Sequence, residues 1–210
     1  MSFSEHGYEI RERFISLEQV KLIKTEIECY DFSKVQGGIR HAEKYFPCVQ
    51  ELIHSKPLIE LASELLNGPV KLIKSTLFNK TKARNWLVSW HQDKSLSVNE
   101  RPETSNWKNW TLKEGVWYAH PPRSVLEKVI CFRLPLDNTN LANGCLQVLP
   151  GSHHQGFWTH EAIASIDKSK ALACELEAGS LLIMQPLLLH KSGKSINGHS
   201  RRVLHIEYML

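Results

Sequence analysis

This chain of 210 residues lacks closely paired cysteines, and that absence excludes two kinds of framework. The five cysteines are odd in number and widely spaced, and no two of them form a C-x-x-C pair. A disulfide scaffold or a zinc knuckle needs paired and regularly spaced thiols, so we expect reduced thiols here. Cys131 and Cys145 fall within strand-like runs and are predicted to be buried core thiols.

Long apolar runs and clustered basic charge are missing as well. No stretch approaches the roughly 18 consecutive apolar residues of a membrane span. The opening MSFSEHG lacks the basic-then-apolar pattern of a secretory signal, which favours a cytoplasmic location. The net charge is +4, and the basic residues are scattered among 22 acidic ones rather than gathered into a nucleic-acid-binding stripe. We therefore expect neither a membrane nor a nucleic acid as a partner.

The first third of the chain has the pattern of amphipathic helices. Ser16-Leu-Glu-Gln19 is a capping box, and it opens a helix with apolar residues on one face. Pro47 and Pro57 each stand where a first-turn proline introduces a short helix, and Gly68 closes the second of these. These helices are predicted to support a sheet.

From Pro69 onward the pattern becomes strand-like. The predicted strands are 70–79, 86–93, 125–136, 145–149, 174–186 and 201–209. We therefore predict a mainly β fold with flanking helices, in one domain over 1–210. The helical buttress is 1–68 and the β core is 69–210.

Two imidazoles and one carboxylate occur at spacings that suit one metal ion. On an extended strand the side chains of His91 and Asp93 share a face, while Gln92 points away. His190 follows the apolar run 180–186, at the point where the predicted strand ends and a loop begins. Two histidines and a carboxylate form the facial triad of non-haem Fe(II), which leaves three coordination positions open. H-x-D alone often occurs by chance, so the prediction depends on the second half of the pattern.

The second half includes Arg201, which opens the final strand eleven residues after His190. Alternation puts Arg202, Leu204, Ile206 and Tyr208 on an apolar face and Arg201, Val203, His205 and Glu207 on a mixed polar one. The polar face suits the inside of a small barrel, where a guanidinium can clamp a carboxylate with two parallel bonds. A solvated arginine at a strand end is the alternative. His205 has no carboxylate at ligand spacing, so an ordinary polar role is expected for it.

In this order, the residues resemble the phytanoyl-CoA dioxygenase family of Fe(II)- and 2-oxoglutarate-dependent oxygenases. The similar blocks are 77–81, 85–93, 121–127, 136–139, 143–153 and 201–208. They cover the chain from about residue 70 onward and, more loosely, its helical start. The resemblance implies a double-stranded β-helix (jelly-roll, cupin-like) core with iron bound by His91, Asp93 and His190. It also implies that Arg201, helped by the Ser192 hydroxyl, holds the far carboxylate of 2-oxoglutarate.

The implied activity is hydroxylation of an aliphatic carbon in a small organic substrate, with release of succinate and CO2. The implied cofactors are Fe(II), 2-oxoglutarate as co-substrate and O2, with ascorbate as a candidate stimulant. Asp93 favours hydroxylation, because related halogenases place chloride where this carboxylate would lie. Asn79 and Lys80 stand on the preceding strand within reach of the co-substrate, but they are not among the predicted site residues. Substrate identity, acyl-CoA or another metabolite, and oligomeric state stay open.

Two other functions remain open on the sequence. A zinc-dependent hydrolase could use the same three ligands with a water, although the chain has no H-E-x-x-H motif and zinc gives no reason for Arg201. The other is a catalytically inactive jelly-roll binding module, since a fold does not fix a function.

A long polar insert, 94–123, follows the metal motif. A structureless loop of this length is usually either functional or disordered, and Trp107, Trp110 and Trp117 argue against disorder. We interpret the insert as a lid that selects substrate. Packing of its tryptophans onto the barrel wall is the equal alternative.

Overall fold

The computed structural model of the chain describes residues 3–33, 35, 37–98 and 106–210. The helices are Phe3–His6 (α1), Leu17–Glu28 (α2), Pro47–Ile53 (α3), Lys56–Leu66 (α4), Arg123–Leu126 (α5) and His160–Ser165 (α6). The strands are Tyr8–Arg11 (β1), Ile39–Arg40 (β2), Lys71–Lys80 (β3), Val88–His91 (β4), Leu96–Val98 (β5), Lys108–Lys113 (β6), Val116–His120 (β7), Val129–Pro135 (β8), Leu146–Val148 (β9), Leu172–Cys174 (β10), Leu181–Met184 (β11), His190–Ser192 (β12) and Arg201–Met209 (β13). Short 3-10 turns lie at Ala42–Lys44, Leu141–Asn143 and Ser152–Gln155.

Two antiparallel sheets form the body of the fold. The larger has the order β1-β11-β8-β13-β3-β2, and the smaller has the order β10-β9-β12-β4. Cys131, Leu182 and Met184 of the larger sheet pack against apolar side chains of the smaller one, so the two sheets face each other. Sheets facing each other in this order make a double-stranded β-helix, and the predicted mainly β fold is confirmed.

Strand β13 lies at the centre of the larger sheet and separates its two faces. Leu204, Ile206 and Tyr208 join side chains of α2, α3 and α4 in the main hydrophobic cluster. Arg201 and His205 point the other way, into a cavity between the sheets. The predicted division of this strand into an apolar and a polar face is confirmed, although both faces are largely buried.

The helices begin where the sequence predicts. Ser16 Oγ accepts from the Gln19 amide, and the Gln19 side chain accepts from the Ser16 amide, which completes the capping box. Pro47 is the first residue of α3, and α4 also has proline in its first turn. Helix α4 ends at Leu66 as predicted, but the residue that caps it in the left-handed conformation is Asn67, at φ 57°, rather than Gly68. Within the described ranges, no helix is long and apolar enough to cross a membrane.

The first 68 residues also contribute two strands that the helical prediction missed. Strand β1 pairs with β11, and β2 pairs with β3, at opposite edges of the larger sheet. They have four and two residues, too few for alternation to stand out in the sequence. Both edges of the four-strand centre are thereby covered, which protects their backbone groups from pairing with another chain.

Three further predictions of secondary structure were wrong. In the segment 94–123, strands β5, β7 and β6 form a three-stranded sheet, so its described part is not a structureless loop. Part of that segment, 99–105, lies outside the described residues. The run 125–136 starts with a helical turn after Pro122, and β8 begins only at Val129. The run 174–186 holds the end of β10 and a separate β11, with a turn at Gly179 between them.

Candidate metal and co-substrate site

His91, Asp93 and His190 converge in the space between the two sheets. His91 ends β4 and His190 begins β12, and the two residues are direct partners in the antiparallel pairing. Nε2 of His91 lies 3.7 Å from one oxygen of Asp93, and Nε2 of His190 lies 3.6 Å from the other. One donor atom from each residue lies within 4.8 Å of the others. The structure therefore brings the three predicted ligands together.

Backbone hydrogen bonds leave the inward nitrogen of each imidazole without a proton. Nδ1 of His91 lies 2.9 Å from the carbonyl of Ser89, and Nδ1 of His190 lies 2.8 Å from that of Leu188. A carbonyl only accepts, so in the neutral ring the proton is on Nδ1. Two Nε2 lone pairs thus face Asp93, whose Oδ2 is buried and has no partner within the described residues. Lone pairs and a carboxylate oxygen this close repel each other unless a cation lies between them. Two imidazole nitrogens and one carboxylate are a ligand set that fits Fe(II).

The protonation states are those that metal binding needs. Burial lowers the pKa of His190 to about 3, although Asp93 opposes the shift. Burial alone would raise the pKa of Asp93, but electrostatic interactions with His190, His205, His91 and the ammonium of Lys74 together hold it well below its ordinary value. At neutral pH the imidazole of His190 is therefore neutral and the carboxylate of Asp93 is ionised, so neither has to lose a proton to bind a cation.

His205 also approaches Asp93, with 3.9 Å between Nε2 and Oδ2, but its bonds give it another role. Arg133 has no acceptor, so its Nη1 donates to Nδ1 of His205 at 3.2 Å. The ring proton is then on Nε2, which donates to Glu207 at 2.8 Å. Burial raises the pKa of Cys131 well above its usual value, so this neighbouring thiol stays protonated. The cluster of Asp93, Cys131 and His205 is therefore unsuited to a cation.

Gln92 points away from the metal ligands, as predicted, and fastens two loops. Its Nε2 donates to the carbonyls of Gly156 and Leu187, at 2.8 and 2.6 Å. Its Oε1 accepts from the backbone N–H of Trp158 at 2.9 Å. These bonds hold the end of β4 from behind, and so they fix the direction in which the side chains of the neighbouring ligands point.

Arg201 lies in the same cavity as the three ligands, and the cavity measures about 250 Å³. Arg201 is 2% exposed, its Nη2 donates to Ser192 Oγ at 3.1 Å, and its Nε has no partner within the described residues. Burial, aided by Arg133, lowers the pKa of Arg201 to about 10, so the guanidinium stays charged at neutral pH. Arg202 points to the opposite face, where it pairs with Asp137 at 2.8 Å and Glu28 at 2.7 Å.

Lys80 is the site residue that sequence reasoning left out. It stands directly opposite Arg201 in the pairing of β3 with β13. Its Nζ donates to Ser192 Oγ at 2.9 Å and to the carbonyl of Gly193 at 2.6 Å. Ser192 Oγ in turn donates to the carbonyl of Gly144 at 2.9 Å. The hydroxyl proton of Ser192 is therefore engaged by a backbone carbonyl in this structure.

The described part of the segment 94–123 reaches the cavity. It contributes three residues to the lining, Ser95, Lys113 and Tyr118. Trp107 stacks on Trp110 at 6.0 Å between ring centroids, and Trp110 meets Trp117 edge-on at 6.2 Å. The tryptophans thus pack on one another, and the role of the segment as a lid stays a prediction.

A jelly roll with two imidazoles, one carboxylate and a buried arginine around one cavity defines a class, the non-haem Fe(II)- and 2-oxoglutarate-dependent oxygenases. The family model described as phytanoyl-CoA dioxygenase matches residues 3–203. The chain therefore belongs to the phytanoyl-CoA dioxygenase family, as its sequence predicted.

Individual relatives agree with the family. The chain is 22% identical to a probable alpha-ketoglutarate-dependent hypophosphite dioxygenase of Stutzerimonas stutzeri, over 98% of this chain and 76% of the relative. It is similar in fold to AviO1 of Streptomyces viridochromogenes, with a TM-score of 0.71, 21% identity, and coverage of 99% and 91% of the two chains. It is also similar in fold to HygX of Streptomyces hygroscopicus, which was solved with nickel and 2-oxoglutarate bound. The TM-score is 0.72 and the identity 15%, over 99% of this chain and 84% of HygX. Neither a zinc hydrolase nor an inactive binding module is favoured by these findings.

Proposed function

We propose that this chain binds Fe(II) through His91, Asp93 and His190 and hydroxylates an aliphatic carbon of a small organic substrate. The observation that carries the proposal is two unprotonated imidazole nitrogens facing an unpartnered, buried carboxylate oxygen. Iron bound there supplies the activation of O2, coupled to the conversion of 2-oxoglutarate into succinate and CO2.

The other predicted residues bind and orient the co-substrate. Arg201, charged and buried at the same cavity, is placed to pair with the far carboxylate of 2-oxoglutarate, while Ser192 holds the guanidinium in position. Gln92 keeps the ligand-bearing end of β4 fixed. Arg133 keeps His205 in the tautomer that carries its proton on Nε2, and Nε2 donates that proton in a hydrogen bond to Glu207.

The size of the cavity supports a small substrate. At about 250 Å³ it is smaller than the roughly 300–1,000 Å³ of common ligand pockets. Once 2-oxoglutarate occupies part of it, little enclosed space remains, so a coenzyme A moiety would have to lie outside. The S. stutzeri relative carries the name of an enzyme acting on hypophosphite, and HygX was also solved with hygromycin B, so relatives of this fold are associated with diverse small molecules.

We also propose one domain over 1–210, with 94–123 as the lid, and a cytoplasmic location. Strands β1 and β2 join the larger sheet from the segment 1–68, which supports a single unit. The free state of all five cysteines agrees with a reducing compartment.

The test is succinate release. Protein prepared without oxygen would be loaded with Fe(II) and exposed to air, 2-oxoglutarate, ascorbate and a panel of metabolites and acyl-CoA esters. We expect substrate-dependent succinate with iron and none with Asp93→Ala, which should also bind iron poorly. Full iron affinity and turnover in Asp93→Ala would mean that the ligand assignment is wrong, and a tightly bound zinc with no succinate would point to a hydrolase.

A further inference from the structure

Two buried cations stand side by side in the larger sheet. Lys80 and Arg201 are direct cross-strand partners, and they are 1% and 2% exposed. Like charges directly opposite each other destabilise a sheet, and burial removes the water that would screen them. The fold gains nothing from this arrangement, since an apolar pair would pack the same position without repulsion. Such a pair points to a ligand that supplies negative charge.

No carboxylate of the described chain neutralises this pair. The groups that accept hydrogen bonds from Lys80 and Arg201 are the hydroxyl of Ser192 and the carbonyl of Gly193. Arg133, the other charged group that acts on both, is itself a cation. The acids of the cavity region are engaged elsewhere, since Glu207 pairs with Lys74 at 2.5 Å and Asp93 faces the imidazoles.

Both cations keep hydrogen-bond donors for a ligand. An ammonium has three donors, and Lys80 uses two of them within the protein. Arg201 has five, of which Nη2 reaches Ser192 while Nε has no partner within the described part of the chain. Ser192 cannot add a donor without breaking its bond to Gly144, whereas Lys80 has one N–H left for a ligand beside Arg201.

We propose that Lys80 is the second arm of the clamp for the far carboxylate of 2-oxoglutarate, acting together with Arg201. The inference rests on the proposed function and goes beyond it, because it assigns the selection of a dicarboxylate to a two-cation site. Ser192 is then a positioning residue, whose oxygen accepts from both cations and holds them apart at a set distance.

The backbone around Lys80 is shaped for this task. Gly144 has φ +74°, and a Cβ there would lie 2.3 Å from the carbonyl oxygen of Gly193. That close approach lets one carbonyl accept from Ser192 and the other from Lys80. Trp86 covers the ammonium, with its ring centroid 5.3 Å from Nζ, and limits the directions the lysine can take.

The experiment compares two oxo acids that differ in the far carboxylate. Binding of 2-oxoglutarate and of 2-oxopentanoate, which lacks that group, is measured by calorimetry on the Fe(II)-loaded protein without oxygen. Lys80→Met should weaken 2-oxoglutarate at least about tenfold, the loss expected for one charge-assisted bond. It should leave 2-oxopentanoate within about twofold, because that ligand makes no bond to the clamp, whereas a general structural defect would weaken both ligands alike.

The control is Lys71→Met, at an exposed lysine on the same strand, which should change neither affinity. If wild-type protein binds no 2-oxoglutarate, the proposed function is wrong. If wild type binds it and Lys80→Met keeps the same ratio of the two affinities, the function stands and the role of Lys80 is overturned. Should Lys80→Met not fold, Lys80→Gln, which also removes the charge, is measured in the same way and judged by the same ratio.

Discussion

The register of β13 decides which of two adjacent arginines can meet a co-substrate. Arg201 faces the cavity and is held by the hydroxyl of Ser192, whereas Arg202 lies on the opposite face. Arg202 is bound there by Asp137, which accepts from its side chain and from its backbone N–H. Two residues of the same type and in the same strand thus have different tasks because side chains alternate.

Replacing each arginine should separate these tasks. Arg201→Ala should raise the dissociation constant of 2-oxoglutarate at least about tenfold, and Arg201→Lys should recover only part of this, because an ammonium lacks the planar fork. Arg202→Ala should leave that constant nearly unchanged and lower the stability instead, by about 1 kcal/mol, since its ion pairs are partly exposed. Calorimetry and urea unfolding of the three variants check this, and an equal loss of affinity at both positions would mean that the register is misread.

Lys80 should make co-substrate affinity depend on pH. Both it and Arg201 bond to one oxygen, so the two nitrogens lie within about 6 Å, where an effective dielectric of about 20 gives a repulsion of roughly 3 kcal/mol. Burial first, then Arg201 and Arg133, lower the pKa of Lys80 to about 7. A bound carboxylate favours the protonated ammonium, so binding raises this pKa. Affinity is then highest below pH 7 and falls as pH rises above it.

The measurement is the dissociation constant of 2-oxoglutarate between pH 6.5 and 9, a range chosen to span the pKa of about 7. Above the pKa of Lys80, wild-type affinity for 2-oxoglutarate should fall by up to tenfold per pH unit, which is the limit when one proton is lost. Lys80→Met should show a flatter profile. The thiol of Cys145, beside Arg201, stays protonated in this range because burial raises its pKa to about 11. Identical profiles for the two proteins would contradict the assignment.

At the scale of elements, the metal ligands depend on how the end of β4 is held. The strand has four residues, and its continuation carries Asp93 into a loop. Gln92, between the two ligands, is the anchor, because its amide joins the backbone at Gly156, Trp158 and Leu187. Gln92, which does not line the cavity, thereby sets the geometry of both neighbours.

Gln92→Ala should therefore cost both stability and iron. It would leave two carbonyls and one N–H buried without a partner, and each such group costs about 1–3 kcal/mol unless water replaces the amide. We expect a loss of at least about 2 kcal/mol in the free energy of unfolding and a weaker affinity for Fe(II). Gln50→Ala, at an exposed glutamine of α3, is the control and should change neither. An unchanged iron affinity in Gln92→Ala would remove the anchoring role.

How far the elements could be predicted depended on their length and burial. The ten-residue β3 and the nine-residue β13 were predicted closely, because their apolar alternation is long. Strand β6 was missed because nearly all of its residues are exposed, so it lacks an apolar face. Lys80 was set aside because its importance lies in the pairing with Arg201, a register that one sequence does not contain. The convergence of His91, Asp93 and His190 could be predicted, since the first two share a face of an extended segment and the third follows a clear apolar run.

For the whole molecule, the segment 94–123 is the predicted lid of the cavity. Its strands β5 and β7 bring Ser95 and Tyr118 to the cavity wall, and Ser97 Oγ donates to the carbonyl of Ile73 in β3. The small sheet is thus attached to the larger one at one side, while β6 lies on its outer edge.

We predict that ligands protect this segment from protease. With Fe(II) and 2-oxoglutarate bound, trypsin should cleave at Lys108 and Lys113 more slowly than in the free protein, because a closed segment resists local opening. Lys170, an exposed lysine between α6 and β10, provides the internal control and should be cleaved at the same rate. Unchanged cleavage within 94–123 at saturating ligand would count against the lid.

The central position of β13 has a consequence for how the chain reaches its native state. Its partner β3 is complete at Lys80, yet the pairing requires residues that are made about 120 positions later. Until then one side of β3 has no neighbour there, and its apolar residues stay open to other chains. Contacts this distant in sequence make folding slow, because the long intervening loop must close before they form. The clamp of Lys80 and Arg201 therefore cannot assemble until residue 201 has been made, and a nascent chain halted before it would have neither a complete larger sheet nor a complete site.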